Sequence, residues 1–145
     1  MTYLLDTDIL IFMIRGMKSS NRQQASRDRA QKLVDRCRQA QAHGDNVAVS
    51  AITIAELEFG VQQSDRPEDE LRAIQKVLSP FDRVDFDAIQ APAKYGEVRH
   101  VLESTGLPIG AMDLLIAAHA LSLQATLVTN NAGHFSRVSG LVIEN

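Results

Sequence analysis

Apolar positions along this chain fall into two rhythms. Short runs rich in β-branched or bulky residues predict strands at Thr2–Leu5, Asn46–Ser50, Arg83–Phe86, Ala125–Thr129 and Leu141–Glu144. Longer stretches between them repeat at helical spacing. Thr7–Ile14 reads as a short helix, and Gly16–Asn21 as a loop in which Ser20 or Asn21 caps the next helix. Ala30, Leu33, Val34, Cys37 and Ala40 mark one face of that helix, over Arg22–His43, ended by Gly44. Ser50 caps a helix over Ile52–Gln62, and Pro67 suits the first turn of another, whose apolar face is Leu71, Ile74, Val77 and Leu78. Ala91, Tyr95, Val98 and Leu102 define a further helix that starts at Pro92 or kinks beside it. A final one covers Ala111–Leu123, and Asn130–Phe135 reads as a loop.

Strands separated by helices require crossover connections. They predict one α/β domain over residues 1–145, with a parallel central sheet flanked by helices on both faces. A chain of 145 residues, 45% apolar and 23% charged, suits such a domain. No apolar run reaches the length of a membrane span, and the first one carries Asp6 and Asp8 without a basic leader, unlike a signal peptide. A cytoplasmic protein is the expectation. Cys37 is the only cysteine, which excludes a disulfide framework and a cysteine-based zinc site.

The net charge of −3 conceals an asymmetry. Eight basic residues lie between Arg15 and Ala40, among them Arg22, Arg29 and Arg36, against only Asp28 and Asp35. Such a segment is either a solvated helix face or a surface for phosphates or an acidic partner.

Three acids stand at the edges of apolar runs: Asp6 in YLLDTDILIF, Glu56 in SAITIAELEFG and Asp113 in IGAMDLLIAAHAL. No Lys or Arg lies within two residues of any of them. A buried unpaired carboxylate is costly, so these positions call for a partner. In open parallel sheets ligands bind beyond the carboxyl ends of the strands, and all three acids are expected near that edge. Converging carboxylates repel one another unless a cation intervenes. Hard oxygen donors favour Mg²⁺ or Mn²⁺, and such a site suits phosphodiester hydrolysis. The competing reading is that Asp6 and Asp113 only serve helix N-termini. Asn131, in the Thr129-Asn130-Asn131 loop, is a candidate auxiliary on the same edge, although Asn is also a routine turn residue.

Asp6-Thr-Asp8 after a strand resembles the first motif of haloacid-dehalogenase phosphatases. That family needs a downstream Lys, and none follows Lys94. Asp8 is therefore read as an N-cap or a supporting group. The four histidines form no set: His119 reads as a packed helix residue, while His43, His100 and His134 fall near helix ends or in a loop.

Taken together, YLLDTDILI, SAITIAELEFGV, PIGAMDLLIAAHAL and ATLVTNNAGHFSRVSGLVIEN resemble the PIN-domain ribonucleases, and within them the VapC toxins of type II toxin–antitoxin modules. The likeness spans nearly the whole chain. It implies a PIN-like nuclease domain in which Asp6, Glu56 and Asp113 occupy the three main acidic positions and bind Mg²⁺ or Mn²⁺. Asn131 stands where many members carry a fourth acid, so three carboxylates are expected to suffice. The resemblance also implies an RNA substrate (tRNA in many members), a homodimer, and a VapB-like antitoxin that places an Arg or Lys among the acids. Arg22, Arg29 and Arg36 are candidate RNA contacts, because an acidic cleft by itself repels RNA. Rival readings are a phosphomonoesterase using Asp6 covalently, a non-catalytic RNA- or protein-binding module of the same fold, and a metal-free dimeric assembly factor.

Overall fold

In the computed structural model, which describes residues 1–18 and 24–145, five parallel strands form one sheet in the order β3-β2-β1-β4-β5. The strands are β1 (Thr2–Leu5), β2 (Asn46–Ser50), β3 (Asp82–Val84), β4 (Thr126–Val128) and β5 (Ile143–Glu144). Seven helices connect them among the described residues: α1 (Thr7–Lys18), α2 (Gln24–Ala42), α3 (Ala51–Gln63), α4 (Pro67–Leu78), α5 (Gln90–Ser104), α6 (Ala111–Ser122) and α7 (Ala132–Phe135). No described helix is long and apolar enough to cross a membrane.

Alternation along the strands divides the interior in two. Leu5, Val47 and Val49 face one core with Ile9, Leu10, Met13, Leu57, Val61, Ile74 and Leu78, contributed by α1, α3 and α4. Leu4, Ala48 and Leu127 face the other, with Val98, Leu102, Ile116, Ala117 and Ala120 of α5 and α6. Both faces of the sheet are therefore covered, as the near-continuous apolar strands predict.

The predicted strands shorten where their partners end. Register pairs Ser50 with Val84, and α3 begins at Ala51, so Asp85 and Phe86 have no neighbour to extend β3. Gly140, with φ of 81°, precedes the last segment, and pairing is confined to Ile143–Glu144.

The loop predicted from Gly16 is also revised. Gly16 belongs to α1 because α2 crosses there: a Cβ on Gly16 would sit 2.3 Å from Ala30 Cβ. Ser20 and Asn21, the predicted caps, lie outside the described residues.

Ser50 does cap α3, accepting from Ile52 N at 3.0 Å. At α5 the helix starts two residues before Pro92. The Asp87 carboxylate accepts from Gln90 N and Ala91 N (3.0 and 2.7 Å), and Pro92 sits in the first turn, where its missing N–H is not needed. Those two amides hold the exposed Asp87 carboxyl below its ordinary value. The predicted Asn130–Phe135 loop contains α7, one turn too short to show periodicity, anchored by the fully buried Phe135.

Candidate metal centre

Strand order reverses about β1: the chain proceeds to β2 and β3 on one side and returns to β4 and β5 on the other. The crevice beyond the carboxyl ends of β1 and β4 is where such sheets bind ligands. Asp6 directly follows β1 and Thr129 directly follows β4, in the register that pairs Leu5 with Val128. The Asp6 N–H closes the edge by donating to Val128 O at 2.9 Å.

Asp6 is 4% exposed and both of its oxygens accept hydrogen bonds. Thr7 N donates to Oδ1 and Thr129 Oγ1 to Oδ2, each at 2.8 Å. Its carbonyl accepts from Ile9 N and Leu10 N, so Asp6 itself holds the N-cap position of α1. This corrects the expectation that Asp8 is the cap. Asp8 lies in the first turn, and its Oδ1 is buried without a hydrogen-bond partner. Burial pushes the Asp6 carboxyl up to about 7 despite the Thr129 bond, and the neighbouring Asp8 adds to the rise.

Glu56 joins from α3 through a threonine that carries no signal in the sequence. Thr7 Oγ1 lies 2.8 Å from Glu56 Oε1 and 2.9 Å from Thr53 Oγ1. A carboxylate accepts only, so Thr7 donates to Glu56 and the buried Thr53 donates to Thr7. One Glu56 oxygen is thereby fixed, leaving Oε2 for other work.

The opposite flank is built from the β4–α7 loop. Asn131 N donates to Thr129 Oγ1 at 2.9 Å, and the Asn131 amide donates to His134 Nδ1 at 3.0 Å. His134 Nδ1 also approaches Asp113 Oδ2 at 3.6 Å. Asp113, half-buried, lies in the first turn of α6, where a negative charge suits the helix dipole. A continuous hydrogen-bonded network therefore runs from Glu56 through Thr7, Asp6, Thr129 and Asn131 to His134, whose Nδ1, already accepting from the Asn131 amide, stands near Asp113 without a hydrogen bond to it. From sequence His134 reads as a loop residue outside any set, and the structure corrects this. Its i+3 spacing from Asn131 is the signal that could have found it, once α7 is known to be a helical turn. His119 is the packed residue expected, 1% exposed, with Nδ1 2.7 Å from Ser50 Oγ and its ring edge-on to Phe86.

The chemistry of the donors fits a hard divalent cation. The set is oxygen-rich, the Asp6 carboxyl is displaced upward, and Asp8 keeps a buried oxygen with nothing to bind. Burial is the main cause of the shift and the adjacent Asp8 adds to it, so a cation at this edge would relieve both acids. Among the described residues no three His, Cys, Asp or Glu side chains converge closely enough to hold an ion by themselves. A divalent cation held here would therefore take few of these carboxylates directly and keep part of its water.

Of the basic candidates, the two among the described residues take no part in this network. Arg29 and Arg36 are exposed on α2, and Arg36 pairs with Glu144 at 3.3 Å. Arg22 lies outside the described residues.

The PIN domain family matches residues 3–141, and the chain belongs to that family. Within it, the chain is similar to proteins named VapC. Ribonuclease VapC2 of Rickettsia felis is 38% identical over 145 residues, covering 100% of this chain and 98% of the relative. The tRNA(fMet)-specific endonuclease VapC of Shigella flexneri is 33% identical over 99% of this chain and 96% of its own length. The crystal structure of VapBC2 from Rickettsia felis, bound to a DNA fragment from their promoter, superposes with a TM-score of 0.82. That match has 35% identity and covers 100% of this chain and 98% of that one.

Proposed function

We propose that this chain is a VapC-type toxin: a cytoplasmic endoribonuclease that depends on Mg²⁺ or Mn²⁺ and is restrained by a VapB-like antitoxin. The hydrogen bonds that tie Glu56 through Thr7 to the buried Asp6 at the strand-order reversal, with Asp113 beside His134 at the far end of the same network, carry this reading. Asp6 and Asp113 would hold the cation, with Glu56 as third ligand or proton acceptor. Asn131 is the neutral corner that orients its neighbours. When bound, the cation supplies positive charge at the scissile phosphate and makes water a nucleophile near neutral pH.

The chain's own residues do the rest. Thr7 N–H and Thr129 Oγ1–H fix the Asp6 carboxylate so that it does not turn away when charged. Thr7 Oγ1–H holds Glu56 Oε1, which leaves Oε2 to take the proton from the attacking water. Attack by water leaves a 5′-phosphate and a 3′-hydroxyl. A phosphomonoesterase reading lacks the downstream lysine that the covalent Asp mechanism of that family needs, since none follows Lys94.

Relatives named tRNA(fMet)-specific endonuclease make tRNA the first substrate to try, and those found in VapBC complexes support an antitoxin partner. The resemblance supports a homodimer. An antitoxin Arg or Lys placed among Asp6, Asp8 and Asp113 would supply the charge that these acids lack. Arg29 and Arg36 are proposed to steer RNA electrostatically.

The deciding experiment incubates wild-type protein and Asp6→Asn with total RNA and tRNA, with Mg²⁺, Mn²⁺ or EDTA, and maps product ends. Cleavage only by wild type with metal, giving 5′-phosphates, is expected. Metal-independent cleavage, or 2′,3′-cyclic phosphate ends, would overturn the mechanism.

A further inference from the structure

A cavity of about 760 Å³ opens beside the acidic network, between α1, the start of α2 and the β4–α7 loop. Its lining includes Asp8, Phe12, Arg15, Lys18, Ser26 and Asn130. Two of these join it to the candidate centre. Asp8 neighbours Asp6, and Asn130 lies between Thr129 and Asn131, which are themselves hydrogen-bonded. The wall formed by α2 is held against α1 by the close crossing of Gly16 and Ala30.

Phe12 has no place in either core. It is half-buried but belongs to neither core cluster, whereas Met13 beside it is a core member and Ile11 packs against the same core. Its ring instead borders a space that Ile11 and Gly16 line on the helix side and Asp8, Arg15, Lys18, Ser26 and Asn130 line with polar groups. An aromatic face, a neutral amide with both donor and acceptor, and cations a turn further along α1 are what an unpaired nucleotide requires. Single-stranded RNA is held by stacking of bases on aromatic rings, by hydrogen bonds to base edges and by cations at phosphates. The volume lies within the range of about 300–1,000 Å³ usual for small-molecule sites.

Building on the ribonuclease reading, we propose that this cavity is the nucleobase subsite of the enzyme. One unpaired base of the RNA strand, next to the bond being cut, stacks on Phe12. The Asn130 amide reads its edge. Arg15 faces the neighbouring phosphate, with Lys18, which also pairs with Glu70 of α4, behind it. A base within a duplex has both faces covered and does not enter, so the subsite selects single-stranded or splayed nucleotides.

The test is steady-state cleavage, with Mg²⁺ or Mn²⁺, of short single-stranded RNAs randomised around the cut, using wild type, Phe12→Leu, Phe12→Tyr and Asn130→Ala. Loss of one stacked base corresponds to a KM roughly tenfold to a hundredfold higher for Phe12→Leu, with kcat within about twofold. Phe12→Tyr keeps the wild-type KM. Asn130→Ala flattens the base preference at one position beside the cut.

A binding measurement free of cleavage uses Asp113→Asn and an RNA carrying 2-aminopurine at that position. Its fluorescence should change on binding, and the change should vanish when Phe12→Leu is added. Wild-type KM and base preference in both Phe12→Leu and Asn130→Ala would overturn the subsite while leaving the nuclease reading intact. So would Phe12→Leu weakening antitoxin binding with no change toward RNA, which would give the cavity to a protein partner. A wild type that cleaves no RNA with either metal would overturn the nuclease reading, and the subsite with it.

Discussion

Replacing Asp6 by Asn should stabilise the metal-free protein at neutral and alkaline pH while abolishing RNA cleavage. Asp6 is 4% exposed, and burial pushes its carboxyl from 3.8 to about 7. A displacement of about three pH units, at about 1.4 kcal/mol each, is a penalty on the order of 4 kcal/mol for keeping the carboxylate charged at pH 8. The carboxamide has nearly the same shape and no charge. It keeps one of the two acceptor roles toward Thr7 N–H and Thr129, and loses the other at about 1–2 kcal/mol. The net gain is about 2–3 kcal/mol, or roughly 5–10 °C in Tm for a domain of this size.

The pH dependence has a definite sign. Because the folded-state value is raised, the favourable contribution of Asp6 is fully present below about pH 4 and is lost as pH rises through about 7. The advantage of Asp6→Asn should therefore be absent near pH 4, grow between about pH 4 and 7, and level off above. Thermal unfolding followed by circular dichroism in EDTA across this range reads it directly. Adding Mn²⁺ should then raise the Tm of wild type and not that of the variant. A variant that is destabilised equally at pH 4 and pH 8 would refute the burial account. Equal stabilisation of both proteins by Mn²⁺ would remove Asp6 from the ligand set.

Thr7→Val strips Glu56 and Thr53 of their shared partner. It should cost about 1–3 kcal/mol in denaturant unfolding and roughly tenfold in kcat; unchanged turnover would mean that Glu56 does not depend on Thr7. Gly16→Ala drives a Cβ into Ala30 and should destabilise by about 1–3 kcal/mol. Ala30→Gly in the same chain should restore part of that loss, and strict additivity would contradict the clash. Burial holds the His119 imidazole below its ordinary 6.5, so its contribution is present above that value and lost as pH falls. His119→Asn, in an Asp6→Asn background, should flatten the fall of Tm between about pH 7 and pH 5; an unaltered slope would refute this.

Much of the fold is legible in the chain because its signals are local. Leu4 and Leu5 point to opposite cores as period-two alternation requires, and Leu71, Ile74, Val77 and Leu78 trace one face of α4. Misreadings arise where a distant partner decides the local outcome. Gly16 reads as a loop glycine until α2 is laid across it. Asp85 and Phe86 alternate like strand residues but have no neighbour beyond Ser50. Asp87, three residues ahead of α5, supplies the acceptor that starts the helix before Pro92. Among the site residues, Asp6, Glu56 and Asp113 stand out as acids against apolar surroundings. Thr7, Thr129 and His134 do not, since threonines and a loop histidine are unremarkable until their partners are known.

From the chain alone follow the alternation of strands and helices, the two-faced parallel sheet and the candidacy of Asp6, Glu56 and Asp113, since side-chain period and the cost of burying charge act on each residue where it stands. Only the tertiary structure decided that β1 lies between β2 and β4. That placement sets Asp6 against Thr129, 123 residues away, turns Asp8 from an expected cap into a buried oxygen without a partner, and opens the cavity before Phe12. These depend on pairings between remote segments, whose free energy is shared across the whole sheet and written in no single stretch of chain.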